Sequence, residues 1–288
     1  MPLEVGVRLP VMGPLATGEN VAKVARWAQE LGFHCLWASD HVVLPQRAEV
    51  QSYYPYAPDH RWQSDAGSNW LDPLTALTWA AAAAPDVKVG TSVLVLPLRH
   101  PVILAKQLAT LDHLSGGRVL LGAGAGWMAE EFEMLGASFP DRGKQSVAMV
   151  ELMRALWSGQ PVELHGRRGT MQPQPVNGRV PVLWGGHSDA ALRRVAGVGD
   201  GWLPLGLTLD ELAAGLKKVR ELCQDTPRDF QVVVNPGRAF ALTSETYARL
   251  EALGVNQVVA GVPQEQPDLA DCHEAMLRAA ELCHLMPR

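Results

Sequence analysis

GTSVLVLPLRHPVILAKQLATLDHLSGGRVLLGAGAGW, residues 90–127, decides the fold. With the residues just before it, Val87 to Leu96 is an apolar, β-branched run, as a strand buried on both faces requires. Pro101 stands where the first residue of a helix tolerates proline. Leu104, Leu108 and Leu111 recur at helical spacing, which gives that helix one apolar side. Ser115-Gly116-Gly117 stops it, because glycine accepts the left-handed geometry past a helix end. Arg118 to Gly122 opens a second apolar run. Two buried strands joined by a helix imply parallel pairing through a right-handed crossover. The second strand runs into Gly122-Ala123-Gly124-Ala125-Gly126, where backbone can approach a ligand closely.

The same alternation continues on both sides. Leu3 to Leu9 and His34 to Ala38 read as strands, with a helix over Gly18 to Leu31 between them. Asp72 and Pro73 start an alanine-rich helix to Ala84. Helices follow at Ala129–Leu135 and Gly143–Ser158. Gly159 to Arg179 is an insertion that could hold a small hairpin. Strands at 180–184, 201–205, 230–234 and 256–260 each precede a helix. Eight strand–helix pairs in 288 residues predict one α/β domain over 1–288, a (β/α)8 barrel rather than an open sheet.

Composition narrows the function. A net charge of −5 with no long basic run argues against nucleic acid or an anionic membrane as partner. No apolar segment is long enough to span a bilayer, so a cytoplasmic protein acting on a small molecule is the expectation. Cys35, Cys223, Cys272 and Cys283 form no CxxC pair, and buried reduced thiols are expected rather than a metal site or disulfide. Lys106, His113 and Arg118 are read as a solvated helix face.

A barrel would gather the C-terminal strand ends on one rim. Asp40-His41 follows the second strand, and a histidine there could give or take a proton near neutral pH; a plain backbone contact is the competing reading. Val42 to Asp72 is a long irregular loop that holds Trp62 and Trp70 among tyrosines and prolines, which suits a lid or substrate wall. Gly185-Gly186-His187-Ser188 precedes a helix. Its free amides and the Ser188 hydroxyl could take a phosphate, or form only a capped turn. Gly122-x-Gly124-x-Gly126 lacks the G-x-G-x-x-G spacing of a dinucleotide site. Close packing of backbone against a flat ring is the alternative use.

These residues resemble a known family. LGFHCLWASDHVVLP (31–45), YPY (54–56), DPLTAL (72–77), the stretch from 89 to 136, RG (142–143), LWSG (156–159), GG (185–186) and ALRRVAGVGDGW (191–202) are similar to the bacterial luciferase-like oxidoreductases, most closely their branch using the deazaflavin coenzyme F420. The resemblance implies a (β/α)8 barrel, a homodimer, and a flavin-like ring at the barrel mouth. A non-prolyl cis peptide would back that ring at Ser92-Val93. Asp40 would contact the deazaflavin and His41 transfer a proton. Gly124, Ala125 and Gly126 would lie against the cofactor, and Gly185, Gly186 and Ser188 would hold its phosphate. Trp62, Trp70 and Trp127 would face substrate. Some sugar-phosphate dehydrogenases of this branch carry glutamate directly after the glycine run. Trp127 stands there instead, which implies a more apolar substrate. The expected activity is hydride transfer with F420. A monooxygenase using reduced FMN and a non-catalytic cofactor-binding barrel are the alternatives.

Overall fold

In the computed structural model, residues 3–57, 59–62, 64, 66–223, 230–261 and 268–286 are described. Positions 58, 63 and 65 of the aromatic loop lie outside them. The strands are β1 (Glu4–Arg8), β2 (Cys35–Ala38), β3 (Lys88–Thr91), β4 (Leu94–Val95), β5 (Val119–Gly124), β6 (Val162–Leu164), β7 (Arg167–Gly169), β8 (Val182–Gly185), β9 (Gly201–Leu203), β10 (Gln231–Val234) and β11 (Gln257–Ala260). The helices are α1 (Gly18–Glu30), α2 (Pro73–Ala83), α3 (Pro101–Ser115), α4 (Ala129–Met134), α5 (Arg142–Trp157), α6 (Asp189–Val198), α7 (Leu209–Leu222), α8 (Ser244–Ala252) and α9 (Leu269–Leu282).

Eight parallel strands close on themselves in the order β3-β2-β1-β11-β10-β9-β8-β5, with β3 pairing back onto β5. The barrel expected from the alternation is therefore present. The insertion before β8 holds the anticipated hairpin, with β6 and β7 antiparallel. One expected strand is interrupted. The run from Val87 to Leu96 pairs as β3, breaks at a cis peptide between Ser92 and Val93, and resumes as the two-residue β4. Hydropathy alone cannot show such a break, because both sides of it are equally apolar.

Helix ends follow local chemistry. The Asp72 carboxylate accepts from the Thr75 amide at 2.9 Å, and Gly116 takes a left-handed φ of 72° after α3. Leu104, Leu108 and Leu111 are buried against the sheet. Arg118 departs from expectation. It donates to the carbonyls of Ala81, Ala84, Val87 and Ser115, and so binds the end of α2 to α3 rather than lying on a solvated face. The four cysteines are free thiols.

Inside the barrel, Trp37 packs with Cys35, Leu120, Leu183, Leu203, Val233 and Val259. Its indole needs two glycines opposite: a Cβ on Gly6 or on Gly90 would lie 2.5 Å from it. Its Nε1 donates to Gln257 Oε1 at 2.7 Å. Val93 packs onto this cluster. A Cβ on Gly124 would lie 2.5 Å from Val93 Cγ2, and one on Gly185 would lie 2.7 Å from Val93 Cγ1.

Candidate active site

Closure brings the ends of β2, β5 and β8 to one mouth. At the end of β2, Asp40 is 5% exposed, and its carboxylate is taken up by protein. Oδ2 accepts from Arg99 Nη1 at 2.6 Å and from the Val95 amide at 2.9 Å, and Oδ1 accepts from Arg99 Nη2 at 2.7 Å. Burial pushes this carboxyl above its ordinary value, against the pull of the guanidinium. Arg99 also reaches Asp72 Oδ2 at 3.4 Å. It thus joins the end of β2 to the cap of α2. Asp40, the expected cofactor contact, also holds the β4 segment against β2.

His41 is buried, with Nδ1 2.8 Å from Glu131 Oε2. Glu131 lies in the first turn of α4, and its other oxygen accepts from the Val42 amide at 2.7 Å and the Val43 amide at 3.3 Å. The imidazole Nε2 makes no hydrogen bond among the described residues. Three indoles surround the ring: Trp70 at 4.7 Å, Trp62 at 5.0 Å and Trp127 at 6.1 Å between centroids. Trp62, Trp70 and Trp127, the residues expected to face substrate, are therefore gathered around His41. They also touch each other, with Trp62 5.3 Å from Trp127.

The aromatic loop crosses the mouth. Glu130 Oε1 accepts from the amides of Gln51 at 2.8 Å and Ser52 at 2.9 Å, so consecutive carboxylates of α4 grip both ends of residues 42–52. Burial alone would raise the Glu130 carboxyl, but the bonds from Ser52, its own amide and Gln51 together hold it below its ordinary 4.5. Beyond this clamp, Tyr54 packs edge-on to Trp62 and against Trp127. Tyr56 reaches His187 after β8. Burial first, and Tyr54 second, push the Tyr56 phenol up to about 12, so its hydroxyl stays protonated.

Between β5 and β8 lies an arginine pair. Arg142, opening α5, donates to the carbonyls of Gly126 and Phe139. Arg194 on α6 has a buried Nε with no partner. Burial, then the charges of Arg142 and Arg193, lower its pKa. Neither Arg142 nor Arg194 has a carboxylate partner among the described residues. Two guanidiniums that repel one another beside an orphaned donor suit an anion. Ser188 caps α6, its hydroxyl accepting from the Ala191 amide at 3.3 Å. Gly126, at φ 87°, gives way to the Phe132 ring, which a Cβ would meet at 2.6 Å. The glycines at 124 and 126 thus make room for protein side chains, a use not anticipated from the sequence.

Arg99, Arg142 and Arg194 lie within the pieces that carry the resemblance, but sequence reasoning gave them no role, and it gave none to Glu131. The resemblance shows only that Trp127 stands where some relatives carry glutamate, with Glu130 and Glu131 three and four positions further on. No local pattern marks a carboxylate whose partner is 90 residues away.

A sequence model of luciferase-like monooxygenases matches residues 4–282. An uncharacterized protein of Mycobacterium tuberculosis is 34% identical over 247 residues, 83% of each chain. A second protein of that organism, provisionally named a coenzyme F420-dependent oxidoreductase, is 27% identical over 183 residues, covering 58% of this chain and 51% of its own. Among solved structures, the monooxygenase RslO1 of Streptomyces bottropensis superposes with a TM-score of 0.75 at 19% identity, covering 97% of this chain and 98% of its own.

Proposed function

Because the chain belongs to the luciferase-like monooxygenase family, we propose that it is an oxidoreductase that moves a hydride between coenzyme F420 and a fairly apolar small molecule. The observation that carries this reading is His41, held by a buried glutamate at the barrel mouth with Nε2 unbonded and three indoles around it. The 27% identical relative named for F420 supports the choice of cofactor.

The residues present fit a phosphate-bearing flavin-like group. Arg142 and Arg194, with the orphaned Nε, would take its phosphate beside Gly185, Gly186 and Ser188 at the start of α6. Ser92, Val93, Gly124, Ala125 and Gly126 would border the ring, and the Asp40–Arg99 pair would form a rigid wall beside it. The deazaflavin, when bound, supplies or accepts the hydride. Hydride transfer to a carbonyl or quinone leaves an oxygen that needs a proton, and the reverse leaves a proton to be removed. His41 Nε2 would give or take that proton. Trp62, Trp70 and Trp127 would exclude water and present apolar faces to substrate, which must part the rings to reach His41.

The test has two arms. Fluorescence titration of the pure protein with F420 and with FMN should show tight F420 binding. Tight FMN binding with none for F420 would select the second reading, an oxygen-using monooxygenase with reduced FMN, which the monooxygenase name of the family supports. His41→Ala should lower reduction of an apolar quinone such as menadione by reduced F420 about 100-fold or more, with F420 affinity changed little. Wild-type turnover in that variant would remove His41 from the mechanism.

A further inference from the structure

We infer that Glu131 is the positioning residue that makes His41 Nε2 a proton acceptor, and that two backbone amides hold Glu131 to this task. The inference rests on the reading of His41 as the proton-transfer group. The geometry is closed on three sides. Glu131 is 2% exposed and His41 8%, so water does not compete for the contact. Three nitrogens converge on two oxygens: His41 Nδ1 lies 2.8 Å from Oε2, and the amides of Val42 and Val43 donate to Oε1. A carboxylate can only accept. Nδ1 must therefore carry the proton of the neutral ring, which leaves the Nε2 lone pair bare.

Both directions of hydride transfer need this arrangement. Removing a substrate proton requires an empty Nε2. Returning one requires the imidazolium, which forms only by protonation at that same atom, with Glu131 balancing the charge across Nδ1. The neutral Nε2–H form can neither accept there nor donate with useful acidity. Glu131 also ties residues 42–43 to α4, so the start of the aromatic loop and the histidine are oriented by one side chain.

A glutamine at 131 tests this with little change in shape. The Val42 and Val43 amides demand an acceptor, so the amide oxygen turns to them and the NH2 faces His41 Nδ1. That inverts the tautomer. Nitrogen-15 imidazole spectra of the full chain should show neutral His41 as Nδ1–H in the wild type, as Nε2–H in Glu131→Gln, and as Nδ1–H again in Glu131→Asp. His41→Asn assigns the signal among the nine histidines. With reduced F420 and menadione, Glu131→Gln should lower kcat about 100-fold, with KM and F420 affinity within two-fold. A wild-type ring already in the Nε2–H form would overturn the inference without Glu131→Gln having to fold. So would an unchanged tautomer in Glu131→Gln, or an inverted tautomer with normal kcat. Normal turnover in His41→Ala sinks the prior reading instead, and the spectra distinguish the two failures.

Discussion

Two arginines at the mouth are used in opposite ways. Arg99 gives both terminal nitrogens to Asp40, which is buried and forms no other Arg or Lys ion pair among the described residues. Arg194 keeps a buried Nε unbonded beside a second guanidinium. The same substitution at each should therefore act on different quantities. Arg99→Gln strands a buried carboxylate and should cost about 3–5 kcal/mol, read as a lower midpoint in chemical denaturation. Arg194→Gln loses no hydrogen bond among the described residues, only a 5.8 Å cation–π contact with Trp184, and should cost stability no more than about 1 kcal/mol. Its effect should fall on F420 affinity, weaker by 10- to 100-fold, since a hydrogen bond to a charged group contributes about 1.5–3 kcal/mol. Unchanged affinity would move the phosphate elsewhere.

At the scale of elements, α4 matters beyond its six residues. Glu130 and Glu131 in its first turn fasten the loop that carries Trp62 and Trp70. Glu130 is held below 4.5, so its fastening is complete above that pH and is lost as pH falls through the lowered value. Hydrogen exchange should therefore show the amides of Gln51 and Ser52 protected near neutrality and released in acid before the barrel strands. Glu130→Gln should weaken that protection at neutral pH. Protection that does not change with pH or with this variant would mean the clamp contributes nothing. The helices themselves were legible in advance. Leu104, Leu108 and Leu111 lie at helical spacing, and Asp72-Pro73 is a start signal that the structure honours. The break at Ser92-Val93 was not readable from β-branched hydropathy and came only through the family resemblance.

For the whole molecule, the barrel closes around Trp37, and this indole depends on side chains being absent from β1 and β3. Gly90→Ala would drive a Cβ to 2.5 Å from the Trp37 ring and should destabilise the protein by about 1–3 kcal/mol. Thermal unfolding of Gly90→Ala beside Gly67→Ala checks this, because Gly67 has nothing within 4 Å of a Cβ. Equal melting temperatures would show that the interior tolerates overpacking there. Among the described residues, no helix is long and apolar enough to cross a membrane.

The alternation of strand and helix, the eight-fold count, the helix starts and the rim position of Asp40-His41 were written in the chain. Each depends on residues within about a dozen positions of one another, where propensity and apolar spacing act. The partners were not. Glu131 meets His41 across 90 residues, and Arg99 meets Asp40 across 59. Nothing local encodes either meeting, because the distance between two strand ends is set by how the cylinder closes. That closure made Glu131 the histidine's partner, gathered three separate tryptophans around one ring, and set Val93 against Gly124 and Phe132 against Gly126.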